Sequence, residues 1–242
     1  MNELSQKEQK ELAATTAVKT LIEKGLIFNG MKIGLGTGST ALPAVKALSE
    51  YIACGTLKDI KAVATSFQTE NACADWGIPV YSFRDRIIGG ELDLAIDGAD
   101  EIDEECNLIK GGGAALLREK IVAYNAKKFV IVADSSKAVK DLGTKFPLPV
   151  EIIPEAYIPV KTALEKTGAK VTLREGVRKC GPVITDNGNQ IIDLLWEKPV
   201  NPAEYEDFIN DLTGVVETGF FTKNKPAAFI AKADGTVEIR GL

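Results

Sequence analysis

The chain has 242 residues, of which 45% are apolar, so it can build one large domain or two small ones with a packed core. Its net charge is −5 and the charges of both signs are interspersed, which argues against nucleic acid and membrane surfaces as partners. The polar start predicts no signal peptide, and no apolar run approaches the length of a membrane span, so we expect a cytoplasmic protein.

The available chemistry is limited because the sequence contains no histidine. Four cysteines, Cys54, Cys73, Cys106 and Cys180, are far apart and form no CxxC pair, which predicts reduced thiols and no zinc site. Without imidazole there is no Ser/His/Asp triad, and proton transfer near neutral pH falls to a carboxylate, lysine, tyrosine or cysteine. We expect neither a metal nor an organic cofactor.

Helices and short apolar strands alternate in the first part of the chain. An amphipathic helix is predicted over Gln6–Glu23, with Lys10 near its start. Strands are predicted at 31–35, 60–65, 79–82, 92–96 and from 129, with helices at about 41–50, at 69–76 and around Glu119. Such an alternation, with apolar strands, predicts an α/β domain built on a doubly wound parallel sheet.

The first predicted strand leads into the glycine-rich turn GLGTGST, residues 34–40, which precedes a helix. Free backbone N–H groups and the positive end of a helix dipole make this an anion-binding arrangement. The spacing is GxGxG, which differs from the GxGxxG of a dinucleotide site, and the lysine of a Walker loop is missing. The hydroxyls of Thr37, Ser39 and Thr40 suit a single terminal phosphate, and a plain tight turn is the structural alternative.

The densest group of reactive side chains lies at residues 97–119, DGADEIDEECNLIKGGGAALLRE. Asp97 and Asp100 follow a predicted buried strand, and ligands bind at the carboxyl ends of strands in open α/β sheets. Lys110 precedes three glycines whose N–H groups can approach a ligand oxygen closely, and Glu119 follows about two turns into a helix. Acid, base and oxyanion donor thus occur in one segment, with a solvated acidic turn and a flexible glycine turn as the alternatives.

The pattern changes near FPLPV at 146–150, where two prolines interrupt the alternation. We predict a strand at 150–153, a helix at 156–166, a strand at 170–173, a strand at 183–185 that turns at Asn187-Gly188 into 190–196, a helix at 202–212 and a strand at 215–220. This order indicates a βαββαβ, ferredoxin-like α+β domain. We therefore expect a large doubly wound domain at 1–146 plus 224–242, with strands at 227–231 and 237–239, and a small domain at 147–223.

The chain resembles the A-type ribose-5-phosphate isomerase family over nearly its whole length. The resemblance rests on four motifs in this order: GLGTGST, DGADEID, LIKGGGAALLREK and VADSSK. That family interconverts ribose 5-phosphate and ribulose 5-phosphate without a metal, in the non-oxidative pentose phosphate pathway. The resemblance implies a Rossmann-like domain that carries the site and a ferredoxin-like domain that helps to form oligomers. It also implies a sugar phosphate as the substrate and a homodimer, or alternatively a homotetramer.

The resemblance assigns roles to individual residues. Glu119 is implied as the general base, while Asp97, Asp100 and Lys110 surround the reacting end of the sugar. Asp97 is our choice for ring opening and Asp100 the alternative. The substrate-binding residues that it implies are Lys10, Thr37, Gly38, Ser39, Thr40, Asp97, Gly98, Ala99, Asp100, Lys110, Gly111, Gly112, Gly113 and Lys137.

The chemistry of the residues is consistent with this family, since one carboxylate can move a proton between C1 and C2 through an enediolate. Fixed donors near the developing oxyanion can replace a metal. The alternative function is a sugar-phosphate-sensing binding module, which would normally carry a helix-turn-helix or a basic segment, and the chain has neither. A nucleotide-dependent enzyme is disfavoured by the incomplete glycine and Walker patterns.

Overall fold

The computed structural model describes residues 3–242. The helices are α1 (Gln6–Glu23), α2 (Gly38–Ala53), α3 (Phe67–Asp75), α4 (Leu116–Tyr124), α5 (Tyr157–Glu165) and α6 (Pro202–Asn210). The strands are β1 (Lys32–Leu35), β2 (Lys61–Ala64), β3 (Leu94–Gly98), β4 (Glu101–Ile102), β5 (Leu108–Ile109), β6 (Phe129–Asp134), β7 (Leu148–Ile152), β8 (Lys170–Leu173), β9 (Gln190–Leu195), β10 (Val215–Thr218), β11 (Phe220–Phe221), β12 (Ala227–Ala231) and β13 (Val237–Arg240). Two short 3-10 turns occur at Ser135–Lys137 and Pro154–Ala156.

The chain forms two compact units. The large unit consists of the residues up to Ala99, of Arg118–Ala138 and of Pro226–Leu242, and the small unit consists of Asp100–Leu117 and Val139–Lys225. The predicted division differs from these units at 100–117, 139–146 and 224–225, which belong to the small unit. The reason is local pairing, since β4 and β5 form a three-stranded sheet with β11.

A six-stranded, mostly parallel sheet forms the centre of the large unit, in the order β13-β12-β6-β3-β1-β2. Only β13 is antiparallel within it, at one edge. The central strands β3 and β6 are buried at every residue, as expected for parallel strands covered on both faces. Because β1, β2, β3 and β6 run in the same direction, the turns that follow them lie at one edge of the sheet.

A four-stranded antiparallel sheet forms the small unit, in the order β10-β7-β9-β8. Helix α5 connects β7 to β8, and helix α6 connects β9 to β10, so the elements follow the predicted βαββαβ order. The core beside this sheet contains Trp196 and Phe220, whose rings stack with centroids 6.3 Å apart. The observed class is α/β, with a mixed sheet and a separate antiparallel sheet.

Two predicted strands are wrong in the described structure. The segment 79–82 makes a single bridge, Val80 to Ala62, and 183–185 makes a single bridge, Ile184 to Gln190. A proline begins the first segment and precedes the second, and proline cannot donate a ladder hydrogen bond. Two helix positions also differ, because α2 begins at Gly38 and Glu119 lies in the first turn of α4.

Within residues 3–242, none of the helices combines the length and the apolar character that a membrane span requires. The N-terminus of α1 has a complete capping box, in which Ser5 accepts from the N–H of Glu8 and the Glu8 carboxylate accepts from the N–H of Ser5. Such a cap satisfies two of the amide donors that a helix start leaves open. This explains why α1 begins where the sequence predicts.

Two cysteines should differ strongly in their reactivity. Cys73 is fully buried, and burial raises the pKa of its thiol to about 11, with a further contribution from the charge of Glu70. Cys54 is exposed, and hydrogen bonds with Thr56 lower the pKa of its thiol. Because the thiolate is the nucleophile, iodoacetamide at mildly alkaline pH should label Cys54 at least about tenfold faster than Cys73. Peptide mass spectrometry of the native protein measures both labelling rates. Equal rates would contradict the burial of Cys73. Unfolding in urea is the control, since it should remove the difference between the two cysteines.

Candidate active site

The carboxylate of Asp97 lies at the end of β3 and is held by the backbone of a neighbouring turn. Asp97 is 3% exposed, and its Oδ1 accepts hydrogen bonds from the N–H groups of Thr37 at 3.1 Å and Gly98 at 2.7 Å. The turn after β1 comes so near that a Cβ on Gly36 would lie 1.9 Å from this oxygen. Glycine is therefore required at position 36 while Asp97 keeps its place.

A cluster of four hydroxyl side chains supports the same turn. The Thr37 Oγ1 lies 2.7 Å from the hydroxyls of both Thr65 and Ser66, and Thr69 donates to the Gly36 carbonyl at 2.7 Å. Thr65, Ser66 and Thr69 are nearly inaccessible to solvent. The hydroxyl of Thr37, which the sequence suggested for a phosphate, is therefore engaged within the protein.

Sequence reasoning missed Thr65, Ser66 and Thr69. The signal was present in the sequence, since TSFQT at 65–69 directly follows β2, the parallel neighbour of β1. Turns at the carboxyl ends of adjacent parallel strands come together. The same segment also contributes Gln68, whose Oε1 accepts from the N–H of Gly38 at 3.0 Å.

The start of α2 follows this turn, and the side chain of Lys10 lies beside it. Thr37 is the N-cap of α2 but makes no side-chain capping bond, so the first-turn amides have no capping partner from it. Ser39 is exposed, and the Lys10 ammonium donates to its hydroxyl at 3.1 Å. A cation and a helix N-terminus at one place favour an anion.

Lys137 is the last residue of the 3-10 turn that follows β6, and it is half-buried. Two glutamines of α1 bind this turn: Gln9 accepts from the Ser135 hydroxyl at 2.9 Å, and Gln6 donates to the Ser136 hydroxyl at 3.1 Å. Helix α1 therefore contacts both the turn after β6 and, through Lys10, the turn after β1.

Glu119 lies in the first turn of α4 and is 4% exposed. The helix packs closely on β1, because a Cβ on Gly34 would lie 2.2 Å from Val122. The neighbouring Arg118 lies over the Phe67 ring, 4.8 Å from its centroid, and pairs with Glu70 at 3.7 Å. These contacts of Arg118 join α4 to α3.

The small unit carries the remaining predicted residues. Asp100 Oδ2 accepts from the N–H of Gly112 at 2.7 Å, and a Cβ on Gly112 would lie 2.6 Å from the same carboxylate. The Gly112 amide, which the sequence suggested as an oxyanion donor, therefore binds Asp100. Lys110 is 2% exposed, and its Nζ lies 5.7 Å from the centroid of the Phe221 ring.

The predicted site residues fall into two groups. The large unit contains Lys10, Thr37, Gly38, Ser39, Thr40, Asp97, Gly98, Ala99, Glu119 and Lys137, and the small unit contains Asp100, Lys110, Gly111, Gly112 and Gly113. Direct contacts join Asp97 to Thr37 and Gly98, Lys10 to Ser39, and Asp100 to Gly112. Across residues 3–242 there is no grouping of three or more His, Cys, Asp or Glu side chains suited to a metal ion.

Known proteins of similar structure cover the chain almost completely. A D-ribose-5-phosphate isomerase solved in complex with phospho-erythronic acid has a TM-score of 0.91 and 39% identity, over 99% of this chain and 100% of that one. The ribose 5-phosphate isomerase A of Methanocaldococcus jannaschii has a TM-score of 0.89 and 41% identity, over 98% of this chain and 100% of that one.

The sequence relatives agree with the structures. Ribose-5-phosphate isomerase A of Treponema denticola is 59% identical over 231 residues, which are 95% of this chain and 97% of the relative. The protein of the same name from Treponema pallidum is 51% identical over 96% of this chain and 92% of its own length. A sequence model of ribose 5-phosphate isomerase A (phosphoriboisomerase A) matches residues 61–235. With these matches and the residues described above, the chain belongs to the ribose-5-phosphate isomerase A family and has its isomerase activity.

Proposed function

We propose that Glu119 is the base that moves a proton between C1 and C2 of ribose 5-phosphate to give ribulose 5-phosphate. The observation that carries this proposal is a buried carboxylate in the first turn of α4, in a chain that has no histidine. The proton removed from C2 can be returned to C1 on the same face of the planar enediolate, so a single base serves both carbons. A burial of this degree also limits exchange of the proton with water.

The phosphate of the substrate is proposed to bind at the turn after β1. The hydroxyls and N–H groups of Ser39 and Thr40 supply neutral donors, whereas the Gly38 N–H binds Gln68, and Lys10 and Lys137 supply positive charge. Support comes from the 3.1 Å contact between Lys10 and Ser39 and from the cluster that holds Thr37. A 39% identical protein was solved with phospho-erythronic acid, and we propose that this chain likewise binds a sugar phosphate.

The remaining charged residues are proposed to act on the sugar ring and on the developing oxyanion. Asp97 is our choice for the proton shuttle that opens the ring, and Asp100 is the alternative. Lys110 stabilises the enediolate oxygen, because a fixed cation in a site that excludes water interacts strongly with developing charge. Gly111 and Gly113 are the glycines whose amides remain candidates as additional donors, since the Gly112 amide binds Asp100.

The finer description of the fold is part of the same proposal. The parallel order β2-β1-β3-β6-β12 supports a Rossmann-like, doubly wound domain. The βαββαβ order with sheet order β10-β7-β9-β8 supports a ferredoxin-like small domain. A homodimer or homotetramer and a cytoplasmic location remain predictions.

Replacing Glu119 by glutamine keeps the shape of the side chain but removes the proton acceptor. We expect Glu119→Gln to lower kcat by roughly 10²–10⁴-fold, because general-base catalysis contributes that much, while thermal unfolding stays close to that of the parent. Glu50→Gln, on the exposed part of α2, is the matched control and should keep full activity. Activity of Glu119→Gln within tenfold of the parent would contradict the assignment.

The space at Gly36 tests the role of Asp97. Gly36→Ala must displace the Asp97 carboxylate, and a misplacement of about 1 Å lowers kcat by about 10²-fold. The control is Gly30→Ala, which has open space and a φ of +82°; it should lose about 1–2 kcal/mol of stability through backbone strain and keep its kcat. Steady-state kinetics and thermal melts separate the two effects, and an unchanged kcat in Gly36→Ala would argue against a role for Asp97.

The phosphate site should contribute to turnover as well as to affinity, because binding energy from the phosphate orients the reacting carbons. Free ribose should therefore show a kcat far below that of ribose 5-phosphate even at high concentration. Lys10→Met should lower kcat/KM for ribose 5-phosphate by at least about tenfold and leave the slow reaction of free ribose unchanged. Efficient turnover of ribose, or equal losses with both sugars, would remove the phosphate site from the mechanism.

A further inference from the structure

Arg174, directly after β8, contacts two different partners within the small unit. Its Nε and Nη2 donate to the two carboxylate oxygens of Asp193 on β9, at 2.8 and 2.5 Å. Its Nη1 donates to the carbonyl oxygens of Gly111 at 2.9 Å and Gly112 at 3.1 Å. The side chains of Arg174 and Asp193 are only 16% and 18% exposed. One guanidinium thus joins the sheet to the glycine loop.

The contact reaches Asp100 through a single peptide group. The carbonyl of Gly111 and the N–H of Gly112 belong to the same planar peptide, in which they point in opposite directions. Arg174 binds its oxygen at 2.9 Å, and Asp100 Oδ2 accepts from its N–H at 2.7 Å. The guanidinium, together with the Ala114 N–H that donates to the same oxygen at 2.9 Å, therefore orients the peptide that binds Asp100, and its charge polarises the N–H toward the carboxylate.

The glycine loop needs such a support because glycine has little conformational preference of its own. Gly111 has a φ of +104°, and Gly112 and Gly113 are exposed to solvent. A Cβ at Gly111 would lie 2.8 Å from Leu116, and a Cβ at Gly112 would lie 2.6 Å from Asp100. Side chains that could restrict this backbone are thus excluded by space. The loop is held by hydrogen bonds instead, and Arg174 is the side chain that binds two of its carbonyl oxygens.

We propose that Arg174, held by Asp193, is a positioning residue for the isomerisation: it orients the Gly111–Gly112 peptide and, through it, the Asp100 carboxylate. This inference rests on the role of Asp100 proposed above. Arginine is required because its planar fork binds the carboxylate with one edge and the loop with the remaining nitrogen. A lysine ammonium is a compact point charge on a flexible stem and cannot reproduce both contacts in this geometry.

The first test compares Arg174→Met, Arg174→Lys and Arg174→Gln with the parent enzyme. We expect kcat to fall by about 10–100-fold in all three, because loss of orientation at the reacting group has that size. KM for ribose 5-phosphate should change by less than about threefold, since the proposed phosphate groups lie in the large unit. The matched control is Arg240→Met, which breaks the pair with Glu238 in β13 and should keep the parent kcat.

Thermal unfolding and circular dichroism are measured on each variant, so that kcat refers to folded protein. Arg174→Lys keeps a positive charge beside Asp193, and it therefore tests positioning even if Arg174→Met is poorly folded. A guanidinium salt added at millimolar concentration to Arg174→Ala should restore part of the lost kcat, which a general loss of stability would not allow. A parent-like kcat in Arg174→Lys or Arg174→Met overturns the inference.

The second test is a double-mutant cycle with Asp100→Asn. If Arg174 acts through Asp100, Arg174→Met should lower kcat by less than about threefold in the Asp100→Asn background, because the Asp100 carboxylate that Arg174 positions is already lost there. Equal losses in both backgrounds overturn the inference. A parent-like Asp100→Asn overturns both this inference and the role of Asp100, whereas a parent-like Arg174→Met beside an impaired Asp100→Asn overturns this inference alone. Neither result touches the proposal for Glu119, which has its own variant.

Discussion

Asp97 and Asp100, the two aspartates proposed to act on the sugar, each accept a hydrogen bond from a peptide N–H, at a place where a glycine allows the backbone to come close. Asp97 is bound by the turn that contains Gly36, and Asp100 by the amide of Gly112. In both cases an added Cβ would collide with the carboxylate. If these carboxylates carry the proposed proton transfers, backbone donors aim them without the conformational freedom of a long side chain.

The hydroxyl cluster around the Gly36–Thr37 turn holds its backbone close to the Asp97 carboxylate. Thr65, Ser66 and Thr69 are buried polar groups, and burial of a hydroxyl is unfavourable unless it is hydrogen-bonded. They meet this need by bonding to Thr37 and to the Gly36 carbonyl. A net gain of only about 1 kcal/mol is typical for each such bond, so the main effect of the cluster is to select one conformation of the turn. Helix α1 has a similar role, since its side chains bind two turns at the same edge of the sheet.

The sequence predicted those features that depend on periodicity and on local motifs. The bounds of α1, the mostly parallel sheet and the βαββαβ order follow from apolar patterns, and short motifs supplied the candidate residues around DGAD and KGGG. It did not predict β4, β5 and β11, because two-residue strands carry no periodic signal. The segments at 79–82 and 183–185 have suitable β-branched residues, but their prolines and their single-bridge pairing prevent extended ladders. The sequence suggested that the Thr37 hydroxyl binds a phosphate. In the structure this hydroxyl bonds to a turn about thirty residues away, and the order of strands in the sheet, which short motifs do not reveal, brings the two turns together.

The position of β12 in the large sheet affects how the chain reaches this structure. Strand β12 lies between β6 and β13 in the sheet, yet it follows the whole small unit in the sequence. During synthesis, β6 is therefore complete long before its neighbour emerges, and one row of its backbone donors and acceptors stays open beside an apolar surface. Parallel pairing between segments this far apart in sequence closes slowly, and open strand edges favour association with other chains. The late strand therefore leaves the nascent large sheet with an open edge, which the finished enzyme, with β6 enclosed between β3 and β12, no longer has.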